Sequence, residues 1–140
     1  MALIVQKYGG TSVGNPEKIK AVAERVLSYS RQGHEMVVVL SAMSGETDRL
    51  ISLANSVQDQ PDSREMDVLL STGEQVTISL FAMAIKAAGY DAISFLGDQV
   101  RILTSSMHTK ARIEAIDTEK IKSHLKQGKI ILILFNMHLV

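Results

Sequence analysis

The chain has 140 residues, with 15 basic and 15 acidic side chains and no cysteine. Hydrophobic residues make up 46% of it, which excludes an intrinsically disordered chain because this much apolar surface offsets the entropy lost on ordering. The zero net charge excludes a general nucleic-acid binder, and the lack of cysteine excludes a disulfide scaffold or a thiolate site. Apolar runs fall short of the roughly 20 residues of a spanning helix. We therefore expect a cytoplasmic protein that binds neither nucleic acid nor membrane.

The first strand and helix are marked by local signals. A short apolar run at residues 3–5, ahead of a glycine pair, predicts a strand buried on both faces. Asn15, Pro16 and Glu17 predict a helix start, because Asn caps free N–H groups, Pro suits the first turn and Glu opposes the positive helix end. Gly33 is expected to end this helix in a left-handed conformation.

The rest of the chain continues the alternation of strands and helices. Further predicted strands are a buried run at 36–40, a third candidate at 91–96, a more exposed strand at 112–116 and a fully buried strand at 129–135. Predicted helices cover about 47–55, 64–70 and 74–88, and Ser71, Thr72 and Gly73 divide the last two. A further short helix is capped by Asp117 and Thr118 and ends at Gly128. Strands alternating with helices imply right-handed crossovers and a parallel sheet. The sequence thus predicts an α/β fold, a three-layer αβα sandwich around a largely parallel sheet.

The last predicted strand has no helix after it to cover the sheet. The chain stops soon after its most apolar segment, at residue 140. A strand left at an open edge invites pairing with another chain. We therefore expect an incomplete fold, either a fragment or a domain completed by a partner.

The strongest candidate site is the sequence KYGGTSVG at residues 7–14, between the first strand and the first helix. Ligands of open α/β sheets bind at the carboxyl ends of strands, where this loop lies. Gly9 and Gly10 let backbone N–H groups approach a phosphate, Lys7 supplies a positive charge for a phosphoryl group, and Ser12 adds a hydroxyl. The loop is neither a Walker A loop nor a G-x-G-x-x-G fingerprint. The alternative interpretation is an ordinary tight turn with an exposed lysine.

Two further loops carry small polar residues. The sequence SAMSGET at residues 41–47 follows the second strand at the same sheet edge and suits a small polar substrate, unless Ser44 or Thr47 simply caps the next helix. In STGEQ, at residues 71–75, Glu74 is either part of a capping box or a carboxylate that orients a substrate ammonium. The four histidines show no metal-ligand spacing, so we predict no metal site from these side chains.

These three motifs, in this order, closely resemble the amino-terminal part of aspartate kinases, which belong to the amino-acid kinase family. The resemblance runs to about Ile131 and includes a segment from Gly97 to Ile113. It implies an αβα sandwich that transfers the γ-phosphoryl of ATP to the β-carboxylate of L-aspartate, with Mg²⁺ on the nucleotide. The formation of this acyl phosphate is the first step in the biosynthesis of lysine, threonine and methionine.

The resemblance also implies which residues act on the nucleotide. Lys7 would stabilise the charge of the transferring phosphoryl group. The backbone N–H groups of Gly9 and Gly10 would hold phosphate oxygens, with Tyr8 and Ser12 in the same nucleotide-binding loop. A carboxylate is already a competent nucleophile, so this chemistry needs positioning and charge stabilisation more than a strong base.

On the substrate side, the resemblance implies that Ser41, Thr47 and Glu74 contact aspartate, Glu74 through the ammonium group. Residues 135–140 depart from the family, because they hold no glycine where members place a glycine-containing loop. The nucleotide-base half and the regulatory ACT domains have no counterpart in this chain. We therefore expect residues 1–140 to be the amino-terminal portion of a catalytic domain that does not turn over by itself.

Three other interpretations stay open. The chain is another amino-acid kinase family member, acting on glutamate, carbamate or a nucleotide. It is a non-catalytic module that associates through its last strand, for example as a homo-oligomer. Or it is a destabilised truncation product without a function, which would unfold broadly and without cooperativity.

Overall fold

The chain forms a parallel sheet flanked by helices. A computed structural model describes residues 1–96, 102–104, 113–116 and 118–134. The main sheet has the order β1-β2-β6-β3, all parallel, with β1 at Leu3–Tyr8, β2 at Glu35–Leu40, β3 at Ala92–Phe95 and β6 at Ile130–Leu134. A separate antiparallel pair is formed by β4 at Ile102–Thr104 and β5 at Ile113–Ile116. The helices are α1 at Pro16–Arg31, α2 at Glu46–Val57, α3 at Ser63–Ala87 and α4 at Thr118–Lys126.

Helices cover both faces of this sheet. Along β2, Met36, Val38 and Leu40 belong to one core cluster with residues of α1 and α3, while Val37 and Val39 belong to a second cluster with residues of α4. This follows from the strand period of two, which sends successive side chains to opposite faces. The predicted three-layer αβα sandwich is therefore confirmed.

The first strand differs from its prediction. Among the described residues β1 pairs only with β2, which places it at an edge of this sheet, with Leu3 53% and Val5 45% exposed. Its side chains alternate between exposed and half-buried, so it is not buried on both faces. An apolar run of three residues cannot distinguish an edge strand from a central one, because both have the same local composition.

The last strand is central, so the prediction that it lies at a possible edge is wrong. β6 lies between β2 and β3. Its residue Ile131 pairs with Val37 of β2 on one side and with Ile93 of β3 on the other. All five of its residues are buried. The expected association through an open β6 edge therefore has no basis in this fold.

The start and end of α1 match their sequence signals. The Asn15 side-chain oxygen accepts a hydrogen bond from the Lys18 backbone N–H at 2.8 Å, and Pro16 occupies the first turn. At the other end Gly33 has φ of 89°, and the His34 N–H donates to the Tyr29 carbonyl oxygen. This arrangement satisfies carbonyls that the helix end leaves free.

Replacing Asn15 with alanine is expected to lower the free energy of unfolding by about 1 kcal/mol, because the cap to Lys18 is lost. Asn15→Asp is the matched control, since its carboxylate also accepts this bond and favours the positive helix end. Urea unfolding followed by far-UV circular dichroism measures the difference. Equal stability of the alanine and aspartate variants would show that the cap contributes nothing.

The two helices predicted on either side of residues 71–73 are one continuous helix of 25 residues, α3. No capping box forms there: the Ser71 hydroxyl donates to the Val68 carbonyl oxygen at 2.7 Å and the Thr72 hydroxyl to that of Leu69 at 2.6 Å. Both bonds are ways for Ser and Thr to stay inside a helix. α3 is also the one helix in the described ranges that could cross a membrane by length and composition, a test that core helices of soluble proteins also pass.

Some predictions fall partly or wholly outside the described residues. The strand predicted at 112–116 is present as β5, while β4, its partner, was not predicted. The proposed cap at Asp117 and most of the segment from Gly97 to Ile113 lie outside these ranges, as does Phe135.

Candidate active site

The first two motifs meet at the carboxyl ends of β1 and β2. Tyr8 is in register with Leu40, so the turn after β1 and the loop after β2 begin at the same level. A Cβ on Gly10 would lie 2.6 Å from the Ala42 carbonyl oxygen, and one on Gly14 would lie 3.3 Å from Ser44 Cβ. The two loops therefore touch, and at Gly10 the close approach of the Ala42 backbone leaves no room for a side chain.

The third motif meets the same loop from the side. Gly73 lies inside α3, where a Cβ would be 3.2 Å from Ala42 Cβ, 3.1 Å from Glu46 Cγ and 3.4 Å from Leu50 Cδ1. Gly73 is fully buried and lets α3 approach α2 and the loop after β2. Ala42 is thus the place where the three motifs come together, although Gly10 and Gly73 are 63 positions apart in the sequence.

The turn at residues 9–12, which we call the glycine turn, has several backbone N–H groups that are available for hydrogen bonding. The Ser12 N–H donates to the Gly9 carbonyl oxygen at 3.1 Å, which closes the turn. The N–H groups of Gly9, Gly10 and Thr11 have no acceptor within the part of the chain that the structure describes. The Lys18 ammonium donates to the Thr11 carbonyl oxygen at 3.2 Å and braces the turn from α1. Consecutive free N–H groups of this kind bind anions.

The side chains of Lys7 and Tyr8 point to opposite faces of the sheet. Lys7 is exposed and shares its face with Val39, on the α4 side. Tyr8 packs against the core on the α1 and α3 side, where its hydroxyl donates to Gln6 Oε1 at 2.9 Å. Burial raises the pKa of Tyr8, and Arg25 opposes this shift. Tyr8 can contribute to the glycine turn only through its backbone.

Glu74 is an unusual carboxylate for the body of a helix. Its Oε2 atom is buried and has no hydrogen-bond partner among the described residues. Burial raises the pKa of Glu74 to about 8. A buried carboxyl without a partner is costly, so Glu74, which follows Gly73 in the sequence, is a candidate for binding a ligand.

The remaining predicted substrate residues lie on the loop after β2 and on α2. Ser41 is half-buried and its N–H donates to the Tyr8 carbonyl oxygen at 3.3 Å, while Thr47 is exposed in the first turn of α2. The expectation that Ser44 or Thr47 caps α2 is wrong, since Gly45 occupies the cap position with φ of 80° and no side-chain cap bond forms.

Two residues of the site were not singled out from the sequence. Gly14 lies in the first motif and Gly73 in the predicted helix break, yet both are contact points between elements. The signal that could have found Gly73 is a glycine inside an otherwise helical apolar pattern, which often marks close packing. No group of three or more metal-ligating side chains occurs in the described ranges.

Comparison with known proteins points to one family. The model of the amino acid kinase family matches residues 2–137. An aspartate kinase of Pseudomonas putida is 58% identical over 95% of this chain and 32% of its own length, and aspartokinase 2 of Bacillus subtilis is 53% identical over 95% and 33%. The chain thus spans about a third of the length of the curated relatives that it matches.

Solved structures give the same result. The crystal structure of aspartate kinase from Synechocystis superposes with a TM-score of 0.78 and 42% identity, over 98% of this chain and 23% of that one. E. coli aspartokinase III in complex with aspartate and ADP superposes with a TM-score of 0.69 over 94% and 40%, and at 20% identity it shows the fold alone. The match over nearly the whole chain, the α/β sandwich and the three converging motifs establish that this chain belongs to the amino acid kinase family.

Proposed function

We propose that this chain forms the portion of an aspartate kinase that binds aspartate and the phosphates of the nucleotide. The observation that carries the proposal is the convergence of three motifs on Ala42, with Gly10 and Gly73 both packed against it. This convergence joins a turn with free backbone N–H groups to a buried carboxylate. An anion-binding turn and a cation-binding carboxylate side by side suit a phosphoryl donor and an amino-acid acceptor.

On the nucleotide side, the N–H groups of Gly9 and Gly10 would hold phosphate oxygens, helped by Ser12, and the Lys7 ammonium would stabilise the charge on the transferring group. We expect the donor to be ATP. The E. coli structure that shares this fold contains ADP. Mg²⁺ would come with the nucleotide, since it is usually bound through substrate phosphates and few protein carboxylates.

On the acceptor side, Ser41 and Thr47 would donate hydrogen bonds to aspartate, and Glu74 would accept from its ammonium group. Ionic hydrogen bonds of this kind are the strong ones in proteins, and an ammonium would supply the partner that Glu74 Oε2 lacks. The product would be 4-phospho-L-aspartate, which feeds lysine, threonine and methionine biosynthesis in the cytoplasm. Residues 1–140 would be the amino-terminal portion of the catalytic domain.

Isothermal titration calorimetry with two variants tests the two halves of this site. Glu74→Gln is expected to weaken L-aspartate binding about 10- to 100-fold, because a charged hydrogen bond is lost, and to leave inorganic pyrophosphate binding unchanged. Lys7→Met is expected to weaken pyrophosphate binding and leave aspartate binding unchanged. Each variant is thus the control for the other. Equal loss of both ligands in both variants would indicate misfolding instead of two subsites.

Competing substrates and turnover are measured with the same chain. L-glutamate and carbamate are expected to bind more weakly than L-aspartate. Tighter binding of either would indicate a family member with that substrate.

Turnover is tested with ATP, Mg²⁺ and aspartate in the presence of hydroxylamine, which converts an acyl phosphate into a hydroxamate. We expect the 140-residue chain to form no hydroxamate. Robust hydroxamate formation would show that these residues suffice for turnover.

A further inference from the structure

Lys18 lies in an unusual place for a basic residue. It belongs to the first turn of α1, directly after Pro16 and Glu17. The first turn is the positive end of the helix macrodipole, where a negative charge is favoured and a positive charge is not. Glu17 therefore carries the charge that suits this position, whereas Lys18 carries the opposite one. A lysine here needs an explanation from outside α1.

That explanation is its contact with the glycine turn. The Lys18 ammonium group reaches back along the chain and donates to the Thr11 carbonyl oxygen at 3.2 Å, although the residue is exposed. The Lys18 backbone N–H is also fixed, because it donates to the Asn15 side-chain oxygen at 2.8 Å. Both ends of Lys18 are thus held beside the turn.

The bond from Lys18 completes the restraint on one peptide group of the turn. The Thr11 carbonyl and the Ser12 N–H belong to the same planar peptide group and point in opposite directions. The carbonyl accepts from Lys18 at 3.2 Å, and the N–H donates to the Gly9 carbonyl oxygen at 3.1 Å. Rotation of this plane would break both bonds. Lys18 therefore restrains the turn in the conformation that presents its N–H groups.

We propose that Lys18 is a positioning residue for phosphate binding, which acts through the Thr11 carbonyl to hold the glycine turn ready for an oligophosphate. This inference rests on the proposed function, which assigns the phosphates of the nucleotide to this turn. Consecutive N–H groups bind an anion best when the backbone is already in the binding conformation, because no ordering cost then remains.

The charge of Lys18 suits the same ligand. Lys7 lies on the face of the sheet that α4 covers, whereas α1, which carries Lys18, packs on the opposite face. The turn at the end of β1 therefore receives a basic residue from each face. An oligophosphate carries several negative charges, which positive groups around it stabilise.

Calorimetric titration of the chain with inorganic pyrophosphate tests the inference. Lys18→Met is expected to raise the Kd about threefold to tenfold, because a charged hydrogen bond to the turn is lost. Lys18→Arg keeps a charged donor for the Thr11 carbonyl and is expected to restore most of the affinity. Lys20→Met is the matched control, since it removes the same charge from another exposed position of α1. Equal Kd values for Lys18→Met and Lys20→Met would overturn the inference.

Unfolding in urea separates a positioning role from a general structural one. Lys18→Met loses the bond to Thr11 but also removes a positive charge from the positive end of α1. We therefore expect its unfolding midpoint to equal that of Lys20→Met. A lower midpoint, accompanied by loss of aspartate binding as well, would show that Lys18 acts on the whole fold and would contradict the inference.

Amide signals in ¹H–¹⁵N NMR spectra report on the turn itself. Saturating pyrophosphate is expected to shift the signals of Gly9, Gly10 and Thr11 in the unchanged chain, and to shift them less in Lys18→Met. Shifts of equal size would mean that Lys18 contributes charge without positioning the turn, which contradicts the inference.

Failure of this inference can be told apart from failure of the proposed function. If the unchanged chain binds no pyrophosphate, both fail together. If it binds pyrophosphate and Lys7→Met weakens this binding while Lys18→Met does not, the proposed function stands and the role of Lys18 is excluded.

Discussion

Replacing Gly10 with alanine is expected to lower the free energy of unfolding by about 1–3 kcal/mol, the usual cost of forcing an extra methyl group into packed structure. The new Cβ would lie 2.6 Å from the Ala42 carbonyl oxygen, well inside van der Waals contact. Because that oxygen belongs to the backbone, it cannot turn aside as a flexible side chain would. The turn after β1 and the loop after β2 must separate.

The neighbouring glycine supplies the control for this experiment. A Cβ on Gly9 would have no atom within 4 Å, and its φ is not positive. Gly9→Ala is therefore expected to change stability by no more than about 1 kcal/mol, and in the stabilising direction, because alanine restricts the unfolded chain. Urea unfolding curves of both variants give the difference. If Gly10→Ala were as stable as Gly9→Ala, the two loops would not be in contact.

The stability of the protein is expected to fall as pH rises from about 5 to 8, because of Glu74. Burial raises the pKa of Glu74 from its ordinary value near 4.5 to about 8 in the folded state. Between these values the folded chain keeps a proton that the unfolded chain has lost, so raising the pH favours unfolding. The stabilisation is complete below pH 4.5 and is lost as the pH passes 8. The total is on the order of a few kcal/mol.

Glu74→Gln isolates this contribution, because glutamine keeps the shape of the side chain and does not titrate. The difference in unfolding free energy between the unchanged chain and Glu74→Gln is expected to grow with pH in favour of the variant. A difference that stays constant from pH 5 to 8 would show that the Glu74 carboxyl titrates normally.

The same titration connects to the proposed substrate. An ammonium group next to Glu74 favours its charged form, so aspartate binding should release a proton below pH 8. Aspartate affinity is therefore expected to rise with pH up to about 8, the pKa that burial gives Glu74. Calorimetry in buffers of different ionisation enthalpy measures the released proton.

Much of the local structure could be predicted from neighbouring residues. Asn15 and Pro16 start α1 and Gly33 ends it, because capping and left-handed turns depend on atoms only a few residues apart. The apolar run of β6 is buried as its composition predicts. The order of strands and helices likewise predicts the α/β class, and the motifs predict the family.

Other predictions failed where the deciding contact is distant in sequence. The segment around Gly73 has the composition of a helix break, yet α3 continues through it, and the missing side chain lets α3 pack closely against Ala42, Glu46 and Leu50. Similarly, Ser71 and Thr72 bond to carbonyls of their own helix instead of capping a new one. The packing of α3 against its neighbours therefore outweighs the low helix propensity of this segment.

The amino-acid sequence by itself determined where α1 begins and ends, that β6 is apolar and buried, and which three motifs are the candidates for a site. Only the tertiary structure decided that β6 is central while β1 is an edge strand, that the three motifs meet at Ala42, and that Glu74 is buried. The physical reason is the range of the interactions. Capping and periodicity act within a turn or two, whereas strand order, close helix packing and the burial of a carboxylate depend on residues that only folding brings together.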